Sequence, residues 1–431
     1  MNNTSTQIVT TPPLAAGPPA APARRVDRLA PIKKVFKPIA SLRLTVVLFA
    51  LSMFLVFCGT LAQMDNGLWA ILSGYFRGWI AWIPWQVFIR FGQVFFWFPK
   101  TWNVPGSFPF PGGKILGGLL LVNLIAAHLV RFKISWKRSG ILLTHGGLIL
   151  LMLGELITGE FAVEGIMTIP TGQASSYAEH ADKYELAVID SSDPKQDQVV
   201  VMPGSLVKRK KPGEWIEDER LPFDIEVVRF LPNSSKPRNI RPTEDNPATA
   251  GVGREAIVDE EKAVSGTDPD GKINAASAYV NLRARDGGAS LGTYLTSYWF
   301  NEQTVKVDGK DYRIALRLQR DYLPYTIYLE EFHHDLYPGT NTPKNFSSKI
   351  RLLDKENQED REVTIWMNHP LRYRGATFYQ SGWIDGDLGT KLQVVTNPGA
   401  DIPYVACTLV IVGMTVHFGM YLLNFLQRRT A

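Results

Sequence analysis

Residues Gly140 to Gly159 (GILLTHGGLILLMLGELITG) form an almost unbroken apolar run of 20 residues. About 20 apolar residues is the length one helix needs to cross a bilayer, and hydrocarbon leaves the backbone of such a run no other way to satisfy its polar groups. His145 sits near the start of the run, followed at once by Gly146 and Gly147. An ionisable side chain inside a span is costly, so His145 either bonds a neighbouring helix or serves a functional site.

Three more apolar segments accompany it, Leu42 to Gln63, Lys114 to Arg131 and Tyr404 to Leu426. The mean hydropathy of -0.05 hides this segregation, because the apolar residues gather toward both ends and leave the middle polar. Spans are expected at 41–63, 114–131, 140–159 and 403–426. The first is too long for a signal-peptide core and lacks a convincing cleavage site, so it stays as a helix. Residues 1–40 are rich in Pro and Ala before a basic cluster, and read as a disordered basic tail. The stretch 64–113 carries Trp69, Trp79, Trp82, Trp85 and Trp97 among Pro and Gly, the composition of one or two interfacial helices at a lipid boundary. The tail, the loop 132–139 (with four basic residues and no acid from Arg131 to Arg138) and the end 427–431 all fall on one side of a four-span chain. The positive-inside tendency makes that side cytoplasmic and puts 64–113 and 160–402 in the periplasm of a bacterial inner membrane. The net charge of +5 fits this bias, and no basic stripe with interleaved aromatics suggests nucleic acid. The two cysteines, Cys58 and Cys407, both fall in spans, so no disulfide framework or CxxC pair is available.

The polar block is strand-like. YELAVID, FDIEVVRF, KVDGKDYRIALRL, YTIYLEEF and KIRLLD alternate apolar and polar residues between turn formers. Leu221 to Val227 resembles Leu323 to Leu329, and each continues to a Phe, Phe230 and Phe332, which suggests two related sheets joined by a linker around Lys236 to Gly271. The expected fold is therefore a membrane protein of four transmembrane α-helices plus a large β-rich, sandwich-like extracytoplasmic domain.

Three of the seven histidines lie in spans: His128, His145 and His417. Counted from Arg131, Arg138 and Arg428 at 1.5 Å per residue, they sit roughly 5, 10 and 16 Å from the cytoplasmic charge boundary. Neutral imidazole is a common axial ligand of haem iron, and facing helices at such depths could present imidazoles to one planar ring. Gly146 and Gly147 would give that ring room, and the basic loop could meet its propionates. The competing explanation is that the glycines serve close helix packing and the histidines bond between helices. Zinc would need more ligands than Glu155 adds. His180, His333, His334 and His369 in the polar block read as surface or strand-edge residues. No HExxH or phosphate-loop pattern is present.

Residues Asn368 to Ser381 (NHPLRYRGATFYQS) carry Asn368, Pro370, Leu371, Gly375, Phe378, Tyr379 and Gln380 in the order of the NxPLxxxGxxFYQS signature. This stretch resembles the ResB (CcsB) family of system II cytochrome c biogenesis proteins. Ser41 to Thr45 and Gly59 to Leu61 are similar to the opening and close of that family's first helix. The resemblance implies a CcsA (ResC)-like partner with a tryptophan-rich haem-handling segment, haem b in transit as the cofactor, and apocytochrome c as the protein served. It also implies that His145 matches, by position, a histidine in the third helix that ligates haem in fused forms, with the opposite ligand coming from the CcsA half. His128 and His417 match no family motif. The chain lacks a CcsA half and a WWD-type motif, and its aromatic first loop is unusually long. On this reading the chain is a non-catalytic subunit of a cytochrome c synthase complex. The alternative is a membrane-anchored β-domain scaffold that binds exported proteins without haem.

Overall fold

The computed structural model describes residues 37–63, 71–131, 135–194, 196–261, 274–285, 288–340 and 343–430. The expected disordered tail up to residue 36, Trp69, loop residues 132–134, linker residues 262–273 and residue 431 lie outside the described residues.

Four helices are long and apolar enough to cross a membrane. They are α1 (Leu42–Ala62), α3 (Gly113–Arg131), α4 (Ser139–Phe161) and α5 (Ile402–Thr430), with the short helix α2 (Gln86–Phe95) between the first two. Asn123, buried within α3, ties the start of α1 in place: its amide donates to the carbonyls of Ile39 and Ser41, and its oxygen accepts from Thr45 Oγ1 at 2.7 Å. A buried amide in apolar surroundings is tolerable when its donors and acceptor are used in this way.

Among the described residues, the aromatic stretch after α1 contains a short π-helical segment (Leu72–Phe76), the helix α2, and a hairpin of β1 (Ile80–Pro84) and β2 (Ser107–Pro111), rather than helices alone. The reason is period: Ala81 and Ile83 are fully buried on α1 while Trp79, Ile80 and Trp82 stay exposed, an alternation that suits a strand. The expected belt of exposed tryptophans, Trp79, Trp82, Trp85 and Trp97, is carried mainly by this small unit.

Helices α4 and α5 run against each other along Gly140, Gly147 and Gly154. A Cβ at Gly147 would stand 2.7 Å from the Ala406 carbonyl oxygen, and one at Gly140 would stand 2.6 Å from the backbone nitrogen of His417. The seven-residue spacing keeps the three glycines on one helical stripe. Where the helices end, their strands begin: β3 (Val163–Pro170) follows α4 and pairs antiparallel with β18 (Gly389–Thr396), which leads into α5. Asn397 clasps the junction, exchanging hydrogen bonds with Thr158 Oγ1 at 3.1 to 3.2 Å and accepting from the Gly399 N–H at 2.8 Å.

The β domain has two cores threaded by two shared strands, β4 (Ala174–Asp190) and β13 (Lys310–Leu336). Around the first core, a sheet ordered β11 (Ser290–Ser297), β10 (Ser277–Ala284), β7 (Phe223–Leu231), β6 (Trp215–Ile216) faces β4, β13, β5 (Gln198–Pro203) and β12 (Gln303–Val307) as a sandwich. The second core is enclosed by one curled antiparallel sheet, β15 (Glu359–Trp366), β14 (Pro343–Asp354), β13, β4, β3, β18, β17 (Ala376–Ile384), β16 (Leu371–Tyr373). The two similar segments part company here: Leu221 to Val227 lines the first core and Tyr325 to Leu329 the second. Residues 236–261 are ordered, contrary to the expected linker. Arg238 holds Glu244 and Asp259 at 2.8 Å, and β8 (Arg238–Asn239) pairs with β9 (Ala256–Ile257).

The glycine seam yields a sharp contrast. Gly147→Ala is expected to destabilise the chain by about 1–3 kcal/mol through overpacking. Gly146→Ala, with nothing within 4 Å of the added carbon, should match the parent or exceed it. Thermal unfolding of the two variants in detergent checks this, and equal midpoints would sink it.

Candidate functional site

Helix α4 sets the site by its rotation. With its glycine stripe fixed against α5, the 100° advance per residue turns His145 about 160° away from Gly147 and toward α3. There it meets His128. His145 Nδ1 lies 3.1 Å from His128 Nε2, and His128 Nδ1 lies 2.9 Å from the Leu124 carbonyl oxygen one turn back. The two rings stand edge to face, 4.8 Å between centroids and 83° between planes. Both are half-buried. The remaining nitrogen, His145 Nε2, has no hydrogen-bond partner among the described residues.

His417 does not join them. Its backbone packs on Gly140, on the α5 side of α4, and its ring sits against Tyr421 and Phe418 at 4.9 and 5.4 Å. Its Nδ1 is buried without a hydrogen-bond partner among the described residues. The level of Gly140 is about 7 Å along α4 from His145, so His417 is removed both in height and in direction.

Of the two glycines expected to make room for a flat ligand, only Gly146 has open space beside its backbone. The space beside Gly147 is filled by Ala406 and Val410. Toward the β-domain end α3 and α4 draw apart around a cavity of about 220 Å3, walled by Gly117, Gly118, Leu121, Met152 and Leu156. Arg77–Glu155 at 3.5 Å and a close Lys114–Glu160 pair stand at its mouth. Leu121 is seven residues before His128 and Met152 seven after His145, so cavity and histidines share one face of each helix, about 10 Å apart along the axis.

The donor set suits haem iron on one side only. Two metal–imidazole bonds of about 2 Å require nitrogens about 4 Å apart, so iron does not fit between nitrogens 3.1 Å apart. The nitrogen left for iron is His145 Nε2, with the open Gly146 backbone next to it in the chain.

The family-signature residues lie in the β domain and build it. Arg374 and Gly375, at φ 45° and 80°, form the two-residue turn between β16 and β17, a hairpin geometry that favours Gly. Asn368, also at positive φ, precedes Pro370 in the turn entering β16. Leu371 and Phe378 face each other into the second core. Tyr379 points outward, half exposed. Gln380 reaches across the interior: its oxygen accepts from Ser348 Oγ at 2.6 Å, and its amide donates to Thr390 Oγ1 and the Gly382 carbonyl at 2.9 Å.

Sequence reasoning missed Asp354, which holds this turn to the neighbouring strand. Its buried carboxylate accepts from Tyr373 Oη at 2.8 Å, from Arg374 at 3.0 Å and from the backbone N–H groups of Glu356 and Asn357. The available signal was an Asp ending a strand just before a polar turn, DKENQ. Burial alone would raise its pKa, but the hydrogen bonds outweigh burial and hold it below the usual carboxylate range. Burial, helped by the bond to Asp354, pushes the Tyr373 hydroxyl up to about 12. Among the other histidines, His180 is buried against Asp321 at 2.8 Å rather than at the surface, because it lies where β3 meets β4. His334 bonds Asp387, and exposed His369 stacks on Trp366.

A depressed carboxylate stabilises the fold fully above about pH 4 and loses that contribution as pH falls toward its folded value. Asp354→Asn is therefore expected to lower the unfolding midpoint at pH 7 and to flatten the acid limb below about pH 4. Parallel acid limbs in parent and variant would contradict this assignment.

Comparison with known proteins places the chain. A ResB-like family model matches residues 291–392, which includes the signature hairpin. Protein NrfI of Wolinella succinogenes is 23% identical over 306 residues, covering 70% of this chain and 29% of that protein. Cytochrome c biogenesis protein CcsB of a Picosynechococcus species is 38% identical over 83 residues, covering 19% of this chain and 18% of the relative. The protein of the same name from Microcystis aeruginosa is 30% identical over 138 residues, covering 31% and 30%. The chain thus spans less than a third of the length of these curated relatives.

Proposed function

The chain belongs to the ResB-like family, and we propose from that premise that it is the ResB side of a c-type cytochrome biogenesis complex that holds haem in transit at His145. The observation that carries the reading is His145 Nε2, left without a partner among the described residues, on the same face of α4 as an apolar cavity about 10 Å nearer the β domain. In this complex haem supplies an iron open to imidazole and vinyl groups open to cysteine thiols. The chain's own residues hold and orient it. His145 Nε2 would ligate the iron, the Gly146 backbone would leave a ring room, and Leu121 and Met152 would continue an apolar lining toward the β domain.

Because His128 is turned onto His145 and His417 lies on the other side of α4, a second ligand for the iron would come from another chain, a CcsA (ResC)-like membrane partner. The basic flanks at Lys33 to Arg43, Arg131 to Arg138 and Arg428 to Arg429 support cytoplasmic termini, with the β domain in the periplasm where apocytochrome c is met. The cleft then opens toward the side on which haem is used.

Co-purification with a CcsA-like partner tests this reading. The parent complex is expected to show a haem Soret band, and His145→Ala to lose at least about tenfold of it, in line with removal of a metal ligand. A complex without haem absorbance, or a band unchanged by His145→Ala, would favour the haem-free scaffold.

A further inference from the structure

We infer that His128 is a positioning residue for His145: it takes the Nδ1 proton of His145 in a hydrogen bond, leaving His145 Nε2 as the bare nitrogen that can face iron. The inference rests on the haem ligation proposed above and adds the device that prepares the ligand. Proton order follows from the one group in the chain of bonds that has no choice. The Leu124 carbonyl can only accept, so His128 Nδ1 carries the proton at that 2.9 Å contact. A neutral imidazole has one such proton, so His128 Nε2 holds a lone pair. At 3.1 Å that lone pair calls for a donor, and His145 Nδ1 is the atom there. His145 Nε2 is then deprotonated.

Other arrangements are worse. If His145 carried its proton on Nε2, two lone pairs would confront each other at 3.1 Å. If His128 were doubly protonated, a cation would stand inside a pair of spanning helices, which is costly. The near-perpendicular rings let the His145 N–H lie in line with the His128 lone pair, and the bond fixes the His145 ring against rotation. A ligating histidine backed through its second nitrogen by an acceptor is more basic and better oriented than a free one. Here the backing passes through a second imidazole to a helix carbonyl, which needs no charged group in the membrane.

The test uses the full chain in bilayers and then its complex with the CcsA-like partner. Solid-state NMR of 15N-histidine-labelled protein is expected to show Nδ1–H tautomers at both His128 and His145. His128→Leu should shift His145 toward Nε2–H. His128→Gln, whose side-chain oxygen can accept in place of Nε2, should restore Nδ1–H. In the complex, His128→Leu is expected to weaken haem retention about 10–100-fold and to raise the haem reduction potential, with His128→Gln recovering both. An Nε2–H tautomer at His145 in the parent would overturn the inference, as would equal retention and potential in the parent and His128→Leu. A parent complex that takes up no haem, yet shows the Nδ1–H tautomer, would overturn the ligation reading itself and reduce the pair to a packing contact.

Discussion

The close approach of α4 and α5 along Gly140, Gly147 and Gly154 is the contact on which the rest of the structure depends. Lipid offers helices little hydrophobic reason to associate, so they associate where small residues let backbones touch. That contact has two consequences at opposite ends of α4. At one end it seats Ile402 on Gly154, and the Thr158–Asn397 clasp then closes the step from the helix pair to the paired strands β3 and β18. In the middle it fixes the rotation of α4, and rotation decides that His145 faces α3 and not α5. Fold anchorage and site geometry are thus the same packing event.

The same point explains what could be read from sequence and what could not. Four apolar runs announce four helices because hydropathy is a property of composition along the chain. Depth follows too, since rise per residue is fixed. Azimuth does not. The three span histidines form a graded series by height, yet His128 bonds His145 while His417 lies behind α4. Gly146 and Gly147 looked like one feature, but neighbours on a helix are 100° apart, so one faces a packed helix and the other open space. The seven-residue spacing of Gly140, Gly147 and Gly154 was the legible clue to the orientation of α4.

In the β domain the period-two segments were legible and their partners were not. Alternation shows that a strand has two faces; it does not show that β13 runs 27 residues and serves two cores in succession. Residues 236–261 have a loop-like composition, and only the meeting of Arg238 with Glu244 and Asp259 gives them structure. Ion pairs between residues that far apart in sequence carry no local signature. Asp354 is the same case: its importance arises from Tyr373 and Arg374, about twenty residues on.

What identifies the chain and what would serve haem therefore occupy different parts of it. The signature hairpin is recognisable because a small β interior is exacting: Gly375 must take positive φ, Phe378 must fill the core, and Gln380 must satisfy the buried hydroxyls of Ser348 and Thr390. A spanning helix is lenient by comparison, since many apolar residues serve equally against lipid. Only its glycines and the histidine it aims are tightly specified. The family match covering 291–392 consequently ends at the domain wall and does not reach α4. The physical link between the two is the β3–β18 pair, which belongs to the curled sheet at one end and to the glycine seam at the other. A strand pair hydrogen-bonded along its whole length transmits position well. This pair joins α4 through Ala162 and α5 through the turn 397–401, which the Thr158–Asn397 clasp holds to α4.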